Sequence, residues 1–110
     1  MNKRTKLAVL QRARSYIATE DRWCQDNLVN FNGQHCAIGA VTAAVFKRPR
    51  DRDLDAWAHV AEIKPVLEVL AAQLPQDLLR KTAWGSIADF NNTHTHKDVL
   101  RLFDEAIAKA

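Results

Sequence analysis

The stretch from His35 to Phe46, His-Cys-Ala-Ile-Gly-Ala-Val-Thr-Ala-Ala-Val-Phe, constrains this chain more than any other. From Cys36 to Phe46 only Thr42 is polar, and most of the side chains are small. No polar face emerges at any helical period, and a helix that is apolar all round is a buried helix. It is far shorter than the ~20 residues that span a bilayer. Gly39 and Ala43 lie four apart, as do Cys36, Ala40 and Ala44. Small residues at that spacing let other helices approach closely on two sides. The expected architecture is all-α: about five helices around a buried central helix at about 36–46, with a small β-hairpin near 27–37.

A chain of 110 residues reads as one domain, 1–110, that buries roughly 65% of its unfolded surface. Its 47% hydrophobic content is ordinary for a globular protein, and three glycines and three prolines argue against disorder and against a turn-rich β fold. The N-terminus, Met-Asn-Lys-Arg-Thr-Lys, is basic like the start of a signal peptide. Gln11, Arg12 and Arg14 interrupt any apolar h-region, so the expectation is a cytoplasmic chain with no membrane span. In that compartment Cys24 and Cys36 are expected as free core thiols, although their spacing permits a disulfide. The net charge of +3 gives a mild preference for acidic partners. It falls short of the basic signature of a nucleic-acid binder.

In chain order, Leu7, Leu10, Ala13 and Ile17 give the apolar stripe of a first helix from about Thr5 to Ala18. Its basic residues, Lys3, Arg4, Lys6, Arg12 and Arg14, read as a solvated outer face. Residues 20 to 34 are irregular, and Asn32-Gly33 is a hairpin signal, because both central residues of a type I′ turn need positive φ. After the central helix comes Lys47-Arg48-Pro49-Arg50-Asp51-Arg52-Asp53, with Pro49 ending the helix. Asp53 reads as the cap of a third helix starting near Leu54, with Trp57, Val60, Ala61 and Ile63 on its inner face. Pro65 breaks or kinks that run, or begins a new helix, and Val66, Leu67, Val69, Leu70 and Leu74 continue the apolar face.

Thr82 to Phe90 reads as a short helix burying Trp84, Ile87, Ala88 and Phe90. Asn91-Asn92 then suits a left-handed helix end. Thr95-His96-Lys97-Asp98 has the form of a capping box, with Asp98 where Glu or Gln is usual. It opens a last helix with Leu100, Phe103 and Ile107 inward.

Four short motifs now stand in order: Trp23-Cys24, Cys36-Ala37-Ile38-Gly39-Ala40, Phe90-Asn91-Asn92 and Thr95-x-x-Asp98-Val99-Leu100. Together they resemble a family of small uncharacterised bacterial and phage proteins. That family carries Trp-Cys, Cys-Ala-Leu-Gly-Ala, Phe-Asn-Asp and Thr-x-x-acid-Val-Leu, and the likeness covers residues 23 to 107. Asn92 departs from the family's usual Asp. The resemblance implies a shared fold and assigns no activity.

Three kinds of chemistry can be assembled from the polar residues. Cys36 stands near the start of the buried helix, where amide donors and the helix dipole lower a thiol pKa. With His94 or His96, and Asn91 to orient it, Cys36 has the parts of a thiol-dependent enzyme. The competing reading is a small core residue, since free cysteine is among the most buried types. Cys24, His35, Cys36, His94 and His96 carry enough N and S donors for tetrahedral zinc, but their spacing matches no zinc motif. Basic residues at 3–14, 47–52 and Arg80-Lys81 would make a phosphate-contacting patch if the fold gathered them. No cofactor motif is present.

The leading expectation is a non-enzymatic helical module that binds another protein, in one version a phage or mobile-element modulator of a host factor. The surface expected to do so combines Arg48, Arg50 and Arg52 with Arg22 and Trp23 of the 20-to-32 loop. The thiol-dependent enzyme is the alternative, and a mildly basic nucleic-acid binder is third.

Overall fold

The computed structural model describes residues 1–110. Five α-helices, α1 (Lys3–Tyr16), α2 (Ala37–Phe46), α3 (Val60–Ala71), α4 (Ala83–Thr93) and α5 (His96–Lys109), enclose one hydrophobic core, as the all-α expectation requires. None is long and apolar enough to cross a membrane. Helix α2 is the centre: every residue from Ala37 to Ala44 is buried, and it packs against α1, α3 and α4. Its closest approach is to a loop. Gly39 lies against the backbone of Leu28, and a Cβ at that position would sit 2.7 Å from the Leu28 carbonyl carbon and nearer still to its oxygen.

The helix ends follow from capping. Asn2 accepts the Thr5 N–H, Thr82 accepts the Gly85 N–H, and Thr95 with Asp98 forms the capping box read from the sequence. At the far end of α2, Lys47 turns left-handed at φ 54°, and the Arg48 N–H reaches back to the Ala43 carbonyl. These are the αL residue and the long backward bond of a Schellman close. The helix therefore stops before Pro49 takes effect.

Several local expectations are corrected. Asp53 caps no helix: Asp55 accepts the Trp57 N–H just ahead of a 3₁₀ turn at Trp57–His59, and that turn leads into α3. Pro65 neither breaks α3 nor starts a helix but lies inside it. The carbonyl it leaves unpaired belongs to the exposed Ala61, where water can satisfy it. Trp57 and Ala61, read as inward, are exposed. Helix α4 runs through Asn91 and Asn92, and neither is left-handed.

The hairpin near 27–37 reduces to one antiparallel bridge, Val29 to His35. Its turn is not type I′, because Gly33 at φ 74° has positive φ and Asn32 does not. The Gly33 N–H donates to the Asn30 carbonyl and the Asn30 N–H to the Gln34 carbonyl. A three-residue loop closed by one left-handed glycine gives that pattern.

The Gly39–Leu28 approach makes a sharp test. Gly39→Ala is expected to cost about 3 kcal/mol or more, because the obstacle is backbone and cannot swing away. Gly85→Ala, whose added methyl would meet only the Thr82 hydroxyl at 3.2 Å and the Arg80 Cβ at 3.6 Å, is expected to stay within ~1 kcal/mol. Thermal melts of the two variants against the native chain read the difference.

Candidate functional site

The irregular segment 20–36 is held from two directions. Along its own length, His35 donates its N–H to the Arg22 carbonyl and accepts the Cys24 N–H, and the Cys36 N–H donates to Leu28. Across the fold it is held by Asn91, which is 1% exposed. The Asn91 Oδ1 accepts from the Trp23 indole N–H at 2.7 Å and from the Ala37 N–H at 3.0 Å. Its Nδ2 donates to the Cys24 carbonyl at 3.1 Å and to the Asn92 Oδ1 at 3.2 Å. Every hydrogen-bonding position of the amide is filled, and its orientation is unambiguous because Trp23 and Ala37 offer only donors. Asn92 in turn accepts the Asp26 N–H, and Gln25 donates to the carbonyls of Asn91 and His94.

Of the candidate catalytic residues, Cys36 and Asn91 line one depression of about 170 Å³, and neither His94 nor His96 lines it. Cys36 is buried, and its Sγ accepts the Gly39 N–H as the N-cap of α2. Burial pushes its pKa up, more than the surrounding amides pull it down. Burial likewise pushes the Cys24 thiol up to about 11, with the neighbouring Cys36 adding to the effect. The two cysteines are free.

The His94 ring stacks on Phe90 and contacts the Phe90 carbonyl, while the His96 Nε2 meets the Ile17 carbonyl at 2.6 Å. Neither ring is bonded to Cys36. Asn91, read as an orienting partner for those histidines, instead serves Trp23, Ala37 and Cys24. No three His, Cys, Asp or Glu side chains come together as a metal would need, so Cys24, Cys36, His94 and His96 form no ligand set. The buried His35 accepts the Arg50 N–H through Nε2, which ties the 47–53 loop to the core.

Several of the basic residues are committed within the chain. Arg14 pairs with Asp104, Arg48 with Asp51 and Arg80 with Asp89, while Arg12 donates to the Ala44 carbonyl. Trp23, expected on the binding surface, is half-buried between Asn91 and the His96 ring. Arg22 and Arg50 are exposed, and the Arg50 side chain lies along Gly33. Arg52 stands over the Phe31 ring, 4.3 Å from its centroid.

That last contact marks a face that the sequence did not reveal. Phe31 is 87% exposed and Trp57 66% exposed. Trp57 stacks on Trp84 with ring centroids 4.2 Å apart and planes 27° apart. Three adjoining depressions join these groups. One of about 360 Å³ lies by Phe31, Arg52 and Asn27. One of about 170 Å³ lies between Asn27, Asn92, Trp57 and Trp84. One of about 370 Å³ lies between Trp57, Trp84, Leu67 and Lys64. Phe31 carried one usable signal: an aromatic inside the Asn30–Gly33 turn has no core within reach. Trp57 carried none, because Trp57, Val60 and Ile63 keep helical spacing although the helix proper begins only at Val60.

Two outcomes are expected. Both thiols should resist alkylation near neutral pH, reacting only as fast as the chain opens. Mass spectrometry against an unfolded control reads this, and fast modification of Cys36 alone would contradict the packing. Asn91→Ala should destabilise the chain by about 3 kcal/mol or more, since it orphans the Trp23 and Ala37 donors and the Cys24 carbonyl. Chemical denaturation measures it.

No curated protein matches this chain, and no solved structure does. One family model, described as a family of unknown function (DUF6197), matches residues 1–109. With nearly the whole length matched, from α1 to the end of α5, this chain belongs to the DUF6197 family of unknown function.

Proposed function

We propose that this protein is a non-catalytic binding module that recognises another protein through the face running from Phe31 and Arg52 to Trp57 and Trp84. The observation that carries this reading is the exposure of two large aromatics, Phe31 at 87% and Trp57 at 66%, on one connected track. Trp and Arg are the residues that most often dominate binding energy at protein interfaces, and aromatics are enriched there. Their contacts within the chain, the Trp57–Trp84 stack and the Arg52–Phe31 pair, leave most of each ring in water, where a partner would desolvate it.

Of the basic residues read from the sequence, Arg52 belongs to this face. Arg48 is turned to Asp51, and Arg22 and Arg50 are exposed outside the three depressions. The likeness to phage and bacterial proteins extends the proposal to modulation of a host factor, and that extension rests on likeness alone.

The expected result is that Trp57→Ala and Phe31→Ala each weaken capture of the partner by roughly thirtyfold, the size of an interface hot spot. Neither should cost more than ~1.5 kcal/mol of stability, the largest loss being that of the Trp57–Trp84 stack. Quantitative affinity capture with the native chain and both variants, alongside thermal melts, checks it. Equal recovery by all three would reject this face.

A further inference from the structure

The depression beside the Trp57–Trp84 stack differs in character from the other two. Its wall is the indole pair, and its floor includes Val60 and the buried Leu67. Lys64 is the sole ionisable residue lining it, and Lys64 makes no ion pair within the chain. The remaining lining is the start of α4: Thr82, Ala83 and Trp84. There Thr82 satisfies the N–H groups of Gly85 and Ser86, while those of Ala83 and Trp84 find no acceptor in the chain. The first turn of α4 holds no acidic residue to offset its positive end. A volume of about 370 Å³ and a mostly apolar lining with a few polar groups are the attributes of a ligand pocket. Here the uncommitted polar groups of the lining are a cation, Lys64, and the donors at the start of α4.

The other depressions do not share this polarity. Asp26 lines the middle one and Asp53 stands beside Arg52 in the first. The preference for negative charge is therefore local to the tryptophan slot.

We infer that this slot receives, from the partner protein, an apolar side chain with a carboxylate directly beside it. The side chain lies against the indole pair, and the carboxylate meets the Lys64 ammonium and the open end of α4. The inference rests on the protein-binding reading and adds the chemistry of the partner's anchoring residues.

The test uses three small probes of one shape and different charge: indole-3-acetate, indole-3-acetamide and tryptamine. Each is titrated into the full chain while two-dimensional NMR follows the indole N–H signals of Trp23, Trp57 and Trp84. The expected result is that indole-3-acetate moves the Trp57 and Trp84 signals and leaves Trp23 in place. It should bind about tenfold more tightly than the amide, a difference of about 1.4 kcal/mol, with tryptamine weakest. Lys64→Glu should invert that order, and Lys64→Gln should shrink the gap between acid and amide.

A carboxylate that binds no better than the amide, or an order unchanged in Lys64→Glu, overturns the inference. The same Lys64→Glu chain is then used to capture the partner. Loss of capture in Trp57→Ala but not in Lys64→Glu leaves the protein-binding reading standing and overturns this one. If the acid preference holds but capture ignores Trp57, the protein reading fails and the slot belongs to a free small acid. Concentration-dependent dimerisation lost in Trp57→Ala would instead assign the slot to a second copy of the chain.

Discussion

One buried amide holds the irregular part of this protein in place. The segment from 20 to 36 has too little regular structure to satisfy all of its own polar groups, and it passes directly over the start of the most apolar helix. A stretch of loop backbone cannot enter such a place without partners for its N–H and C=O groups. The segment makes most of those bonds within itself, and Asn91 reaches in from α4 to take the Cys24 carbonyl, the Trp23 indole N–H and the Ala37 N–H that opens α2. Gly39 supplies the matching vacancy, because only a residue without a side chain lets the Leu28 backbone lie so close. Polar satisfaction from one side and steric permission from the other make a loop behave as part of the core.

That solution determines where chemistry can occur. Cys24 and Cys36 are enclosed by the same loop and are held as thiols. The helix dipole at Cys36 acts on a group that is desolvated first, and desolvation is the larger effect. The histidines at the start of α5 are occupied by backbone carbonyls. The large apolar side chains left facing water are instead Phe31, beneath Arg52, and Trp57, stacked on Trp84.

Much of this was legible in the sequence, and the rest was hidden for identifiable reasons. The central helix could be read because its composition admits no other environment. The capping box at Thr95 and Asp98 could be read because it is a local exchange of two hydrogen bonds. The Asn91 contacts could not, since they link residues 54 to 68 positions apart with no periodicity to announce them. Pro65 misled because the cost of a proline within a helix depends on whether the orphaned carbonyl faces water, which is a tertiary fact. Trp57 misled because a 3₁₀ turn ahead of α3 breaks the 3.6-residue phase by which its face was judged. Four residues of the short motifs read from the sequence, Trp23, Cys24, Gly39 and Asn91, meet around the loop.

The exposed track is assembled from residues near 26–31, 52–67 and 82–92, brought together only when α4 is docked on the loop. No fragment of the chain carries it. Any binding to the track would therefore be coupled to folding, so that a molecule held there would also act as a ligand of the native state. A partner present at a hundred times its Kd would add about 2.7 kcal/mol to the stability of the whole domain. Were such a ligand present, the stability of the chain would rise with the logarithm of the ligand's concentration.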